Sequence, residues 1–160
     1  MPSWTDYYAG IDREALWSAL FAHFQASLTG FATMGRRHIQ PPHLPQDSQP
    51  AFFLVQVREK RGGTMRGTPN RLTLHGFIIL YTPAPVTDEV PGTEQQLAAT
   101  TLNGFFKQID DALKPDSRDT GKFTLGGLVT ECAIEGEVDQ DPGLFTSQAA
   151  AILPIYMLVP

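Results

Sequence analysis

The sequence has almost no cysteine: Cys132 is alone among 160 residues. A single thiol excludes an intramolecular disulfide and a cysteine-rich zinc site. On an alternating strand it reads as a small buried hydrophobe rather than a nucleophile. Histidine is scarce too, and His23, His38, His43 and His75 show neither H-x-x-x-H nor HExxH spacing. No metal ligand set is expected from them. There is no G-x-S-x-G elbow. Gly62, Gly63 and Gly67 lack the Lys-Ser/Thr ending and the following helix of a phosphate loop. No catalytic, cofactor-binding or metal residue is assigned, no cofactor is called for, and an enzyme is not expected. The apolar run at residues 147–160 is too short to span a bilayer and carries Pro154, so no membrane partner is expected. Residues 1–8 lack the basic start and apolar stretch of a signal peptide.

What is present suits one globular domain. Apolar residues make up 42% and aromatics 10% of the chain, enough for a core and too much for disorder. The net charge is -5, and it is unevenly spread. Residues 36–71 hold Arg36, Arg37, Arg58, Lys60, Arg61, Arg66 and Arg71 against Asp47 and Glu59, a balance of +5. Residues 88–141 hold twelve carboxylates against Lys107, Lys114, Arg118 and Lys122, a balance of -8. Two outcomes are open: a basic and an acidic surface that are complementary between copies, or charges that mix in space and only solvate the protein.

Residues 12–29 read as an amphipathic helix with Asp12 as N-cap, Leu16, Leu20, Phe24 and Leu28 as its stripe, and Gly30 as its stop. A short strand is expected at 31–39, followed by a proline-rich loop at 40–50. Residues 51–60 and 71–82 form the arms of a long hairpin with a flexible, basic tip. A proline-rich connection at 83–92 leads to a second helix from Thr93, with Gln96 completing a capping box and Pro115 ending it. Its stripe is Leu102, Phe105, Phe106, Ile109 and Leu113, and Gly104 suggests a close neighbour or a bend. Closing strands are expected at 122–126, 128–138 and 150–159, with Asp141-Pro-Gly143 in the last turn. Pro154 cannot donate a ladder bond, so the last strand should be an edge strand or bulged there. The order predicts a single-domain α+β fold: a largely antiparallel mixed sheet with two helices packed on one face.

Two clusters are candidate contact sites. Arg58, Lys60, Arg61, Arg66 and Arg71 gather on the hairpin around its tip. Docking on an acidic protein surface, contact with DNA, and plain solvation are all open to them; the absence of interleaved aromatics argues against base stacking. Glu131, Glu135 and Glu137 fall on one face of a strand by period-two alternation, opposite Cys132, Ile134 and Val138. They form either a solvated face or the negative lining of a pore.

The ending carries a grammar of its own: I-E-G-x-V at 134–138, then Q-x-A-x-I-x-P-I-x-x-L-x-P at 148–160. Together with the helix at 12–28, the hairpin around 61–70 and the helix at 93–113, it resembles the tail terminator (tail completion) proteins of long-tailed bacteriophages. The resemblance covers most of residues 1–160, with the C-terminal third the most distinctive. It implies a small α/β subunit of a homohexameric ring that caps the head-proximal end of the tail tube and stops its polymerisation. Its partners would be further copies of itself, the tail tube protein and the neck or head-closure protein, with DNA passing through unbound. The place implied is the virion's head–tail junction, after assembly in the host cytoplasm. The alternatives are another neck or tail-tube component and a cytosolic small-ligand-binding domain.

Overall fold

The computed structural model describes residues 4–40, 43–63, 69–84, 93–141 and 148–160. In these, the order is α1 (Trp4–Ala9), α2 (Arg13–Ser27), β1 (Thr33–Gly35), β2 (Ala51–Gly62), β3 (Arg71–Pro83), α3 (Thr93–Ala112), β4 (Glu131–Ile134), β5 (Asp139–Asp141) and β6 (Gln148–Val159). The strands form one six-stranded sheet in the order β1-β2-β3-β6-β4, with β5 also paired to β6. Only β1 is parallel to its neighbour; the other pairings are antiparallel. The chain is a single α+β domain with α2 and α3 on one face of a mixed, largely antiparallel sheet, as the order of elements predicts.

α2 begins where Asp12 accepts a hydrogen bond from the Ala15 N–H at 3.0 Å, which satisfies one orphan donor of the first turn. It ends at Leu28, after which Gly30 takes φ +89°, a left-handed conformation suited to glycine. Leu16, Trp17, Leu20 and Phe24 are buried along one stripe. α3 buries Ala98, Leu102, Phe105 and Ile109 at three- and four-residue spacing. Each fully buried large apolar side chain contributes about 1.5–3 kcal/mol of transfer free energy. Gln108 locks the helices together, accepting from the Thr29 N–H at 2.9 Å and donating to the Thr29 carbonyl at 3.3 Å. His23 Nε2 lies 2.7 Å from the Ala112 carbonyl and its ring packs on Phe123, a structural use of that histidine. Gly76 lets α2 lie close to β3: an added Cβ would come within 2.7 Å of the Trp17 ring and 2.5 Å of the Val55 carbonyl oxygen.

The first helix, α1, has no counterpart in the sequence expectations. The Tyr8 hydroxyl donates to the carbonyls of Gly62 at 2.6 Å and Arg71 at 3.3 Å, pinning the two arms of the hairpin where they leave the sheet. Its neighbour Tyr7 donates to the Pro160 carbonyl at 2.5 Å.

Several expectations are corrected. β6 is no edge strand: it lies between β3 and the pair β4 and β5. Pro154 sits opposite Phe77, and its carbonyl, which accepts from the Glu135 N–H at 3.1 Å, points to the other side, as its nitrogen must. There the partner ladder is broken between β4 and β5, so the missing donor falls in a gap. The expected strand at 128–138 is only β4, because Gly136 takes φ +120° and turns the chain out of the ladder. Val138 is therefore exposed rather than buried on the face of Cys132. No strand forms at 122–126: the chain turns at 125–128, with Leu125, Gly126 and Gly127 all at positive φ. Asp116 braces that turn by accepting from Thr124 and Gly126. Gly104 has open space where a Cβ would stand, so no close neighbour explains it. The strand expected at 31–39 is cut to three residues. The tip at 64–68 with Arg66, most of the 83–92 connection, the capping side chains at 93 and 96, and the turn after Asp141 lie outside the described residues.

Candidate functional site: the uncovered sheet face

The two faces of the sheet are set by its register. In antiparallel pairs, residues opposite each other share a face. The covered face holds Phe52, Leu54, Ile78, Leu80, Leu153 and Ile155 under the helices. The other face reads as rows across the strands: Phe53–Ile79–Ile152–Asp139, Arg58–His75–Tyr156–Ala133 and Lys60–Thr73–Leu158–Glu131. The loop carrying His38 and Leu44 covers Phe53 and Tyr81 at one corner. Elsewhere no described residue covers this face, and Phe77 is 37% and Ile152 38% exposed.

A register shift between Gln56 and Arg58 decides which basic residues belong here. The bulge at Val57 brings Arg58 and Lys60 to the open face and sends Glu59 and Arg61 to the helix side. Glu59 there pairs with Arg13 at 2.6 Å and with Arg61 at 2.7 Å, while the Arg61 guanidinium sits 4.9 Å above the Tyr8 ring. The five-residue basic cluster is thus split. Arg58 and Lys60 stand on the open face, Arg71 is exposed at the start of β3, and Arg61 is held by its own protein.

Arg58 and Lys60 line one side of a shallow trough of about 530 Å³, and Glu131 and Glu135 line the other. Its floor is His75, Phe77, Pro154 and Tyr156. Glu131 is bonded to Lys122 at 3.0 Å. Glu137 is exposed in the loop after β4 and does not join the other two glutamates, because Gly136 breaks the alternation. Asp139 and Asp141 extend the acidic side along β5, opposite Ile152 and Ala150.

The trough's electrostatics change sign between neighbouring strands. Burial and then the charges of Arg58 and Lys60 push the His75 pKa below its ordinary value, against a smaller opposing effect of Glu135. Tyr156, directly opposite His75, has its pKa raised to about 12 by burial and by the carboxylates of Glu131 and Glu135. One strand feels positive charge and the next feels negative charge. Cys132 is buried on the covered face, and burial lifts its thiol to about 12, which leaves it unreactive.

A second depression of about 590 Å³ is lined by Arg36, Arg37, His38 and His43 beside Phe53. Arg36 is paired with Glu14, and His38 Nε2 lies 2.6 Å from the Tyr81 hydroxyl. Among the described residues no group of His, Cys, Asp or Glu is placed to hold a metal ion, and no helix is long and apolar enough to cross a membrane.

Sequence reasoning found the charged walls and missed the floor. The alternation Thr73, His75, Phe77, Ile79 in β3 and Ile152, Pro154, Tyr156, Leu158 in β6 was the available signal. No protein-family model matches the chain, and no curated protein matches it.

Proposed function

We propose that this protein is a structural virion subunit that forms a ring at the head-proximal end of a phage tail tube, ends tube polymerisation and joins tail to neck. The reading rests first on the resemblance of the C-terminal grammar. The observation that supports it most is the open sheet face, apolar along its centre and oppositely charged on its two sides, a surface suited to contact with protein. The grammar itself has a physical meaning here. Ile134 pairs with Ile155, and a Cβ on Gly136 would lie 3.1 Å from Pro154 Cγ, so the I-E-G and P-I segments fit each other. Particles assembled without this protein test the function by electron microscopy. Overlong tails, or tails not joined to heads, are expected; joined tails of normal length would refute it, and absence of any tube would favour a tube component instead.

A second reading, a small-ligand-binding domain, has one observation in its favour: the trough places His75 beside Glu131 and Glu135. All its lining residues come from strands β2, β3, β4 and β6 or the residue after β4, and none forms a roof. Ligand pockets usually enclose most of their ligand. The trough therefore suits a broad protein contact better.

A further inference from the structure

Among the described residues the sheet has one basic edge and one acidic edge. β1 pairs only with Ala51–Phe53 of β2, so from Leu54 to Gly62 β2 has β3 as its only strand neighbour among the described residues. On that edge stand Arg58 and Lys60, without an ion-pair partner among the described residues, and Val57, 51% exposed. On the opposite edge the Cys132 N–H of β4 already donates outward to the Phe123 carbonyl at 2.8 Å, so the stretch left for a partner is β5 and the loop before it, which carry Glu135, Glu137 and Asp139. Like-charged edges repel, and a bulge with basic side chains is a known guard against indiscriminate strand pairing. An edge guarded in this way rejects a second basic edge and accepts an acidic one.

We propose that copies of this chain join head to tail, the basic β2 edge of one against the acidic edge at Glu135 and β5 of the next. Strand direction permits it. β2, β3 and β6 alternate in direction and β5 is antiparallel to β6, so a β2 of the same orientation placed beyond β5 runs antiparallel to it. Level with one another, Lys60 would meet Glu131, already paired with Lys122, and Arg58 would meet Ala133. A slide of four residues instead sets Lys60 beside Glu135 and Arg58 beside Asp139 of the neighbour and covers the exposed Val57. Nucleic acid is a poorer occupant, because carboxylates share the open face with the two cations and repel phosphate. The sign change between His75 and Tyr156 is the same polarity seen within one copy. A heterologous contact of this kind closes into a ring or continues as a filament. It gives the proposed ring its subunit contact and rests on that reading only for the ring's place in a particle.

Sedimentation of the full chain with two charge-reversed variants provides the test. One is Arg58→Glu with Lys60→Glu; the other is Glu135→Lys with Asp139→Lys. The wild type is expected to associate at low salt and dissociate at high salt. Each variant alone should lose about tenfold or more in self-association, as expected for unscreened interfacial charges, and an equimolar mixture should recover it. Neutral variants at the same positions separate head-to-tail from two-fold pairing. A mixture of Arg58→Ala/Lys60→Ala with Glu135→Ala/Asp139→Ala should stop at a one-to-one pair, since each partner keeps one competent edge. A wild type that stays monomeric at low salt, variants that associate like it, or a mixture that fails to recover would each overturn the proposal. Circular dichroism confirming that the variants are folded keeps a lost fold from passing as a lost contact. Failure of the functional reading looks different: copies associate by these edges, yet tails made without the protein keep normal length.

Discussion

The two faces of one sheet, built from alternate residues of the same strands, do different work. Ile78 is fully buried beneath the helices while its neighbour Phe77 is 37% exposed on the other side. The covered face is apolar and closely packed. The open face keeps apolar side chains along its centre and sorts its charges by strand. Stability resides in the first, and the second is the face we propose for contact with protein.

Substitution at adjacent positions gives the sharpest contrast. Ile78→Ala should cost about 2–5 kcal/mol in denaturant unfolding, as for a large side chain deleted from a core. Phe77→Thr, which keeps strand propensity, should cost less than about 1 kcal/mol. Similar losses at the two positions would erase the distinction between the faces. Next comes Gly76→Ala, where the new methyl meets the Val55 carbonyl and the Trp17 ring; overpacking of that kind costs about 1–3 kcal/mol. A neutral result would mean that α2 does not press on β3 as described. Tyr8→Phe removes the hydroxyl that bonds Gly62 and Arg71, and about 1 kcal/mol should be lost, with faster amide exchange confined to the hairpin arms.

The smallest effect is electrostatic. His75 has a folded pKa below its unfolded value, so its neutral form is favoured by folding. Its contribution to stability is present above the unfolded pKa near the ordinary histidine value and is lost as pH falls through the folded pKa. An NMR titration should place its midpoint below that of a histidine in water. Replacing Arg58 and Lys60 with Ala should move the midpoint part of the way back, because burial is the larger cause and remains. An unmoved midpoint would show that these cations do not govern the trough.

Much of the fold is legible in the sequence because its signals are local. The stripe of α2, its Asp12 cap and the long hairpin follow from spacing and capping chemistry within a few residues. What was not legible depends on partners distant along the chain. Pro154 reads as an edge marker until the break between β4 and β5 is seen to fall beside its nitrogen. Glu137 reads as a third member of the carboxylate row until Gly136 turns the chain at φ +120°. The basic cluster was half legible: alternation alone separates Arg58 and Lys60 from Arg61, but the bulge at Val57 decides which set reaches the open face. α1 is too short to announce itself by periodicity, and its role depends on Tyr8 reaching residues more than fifty positions away.

Amide hydrogen exchange along β2 tests most directly the proposal that copies join through the sheet's two charged edges. Among the described residues, outward-facing amides between Leu54 and Gly62 lack a strand partner in one copy. In associated wild-type protein they should exchange more slowly than in the Glu135→Lys/Asp139→Lys variant, while the amides of α2 and α3 keep the same rates in both. Equal exchange along β2 in the two samples, with association confirmed in the first, would contradict it.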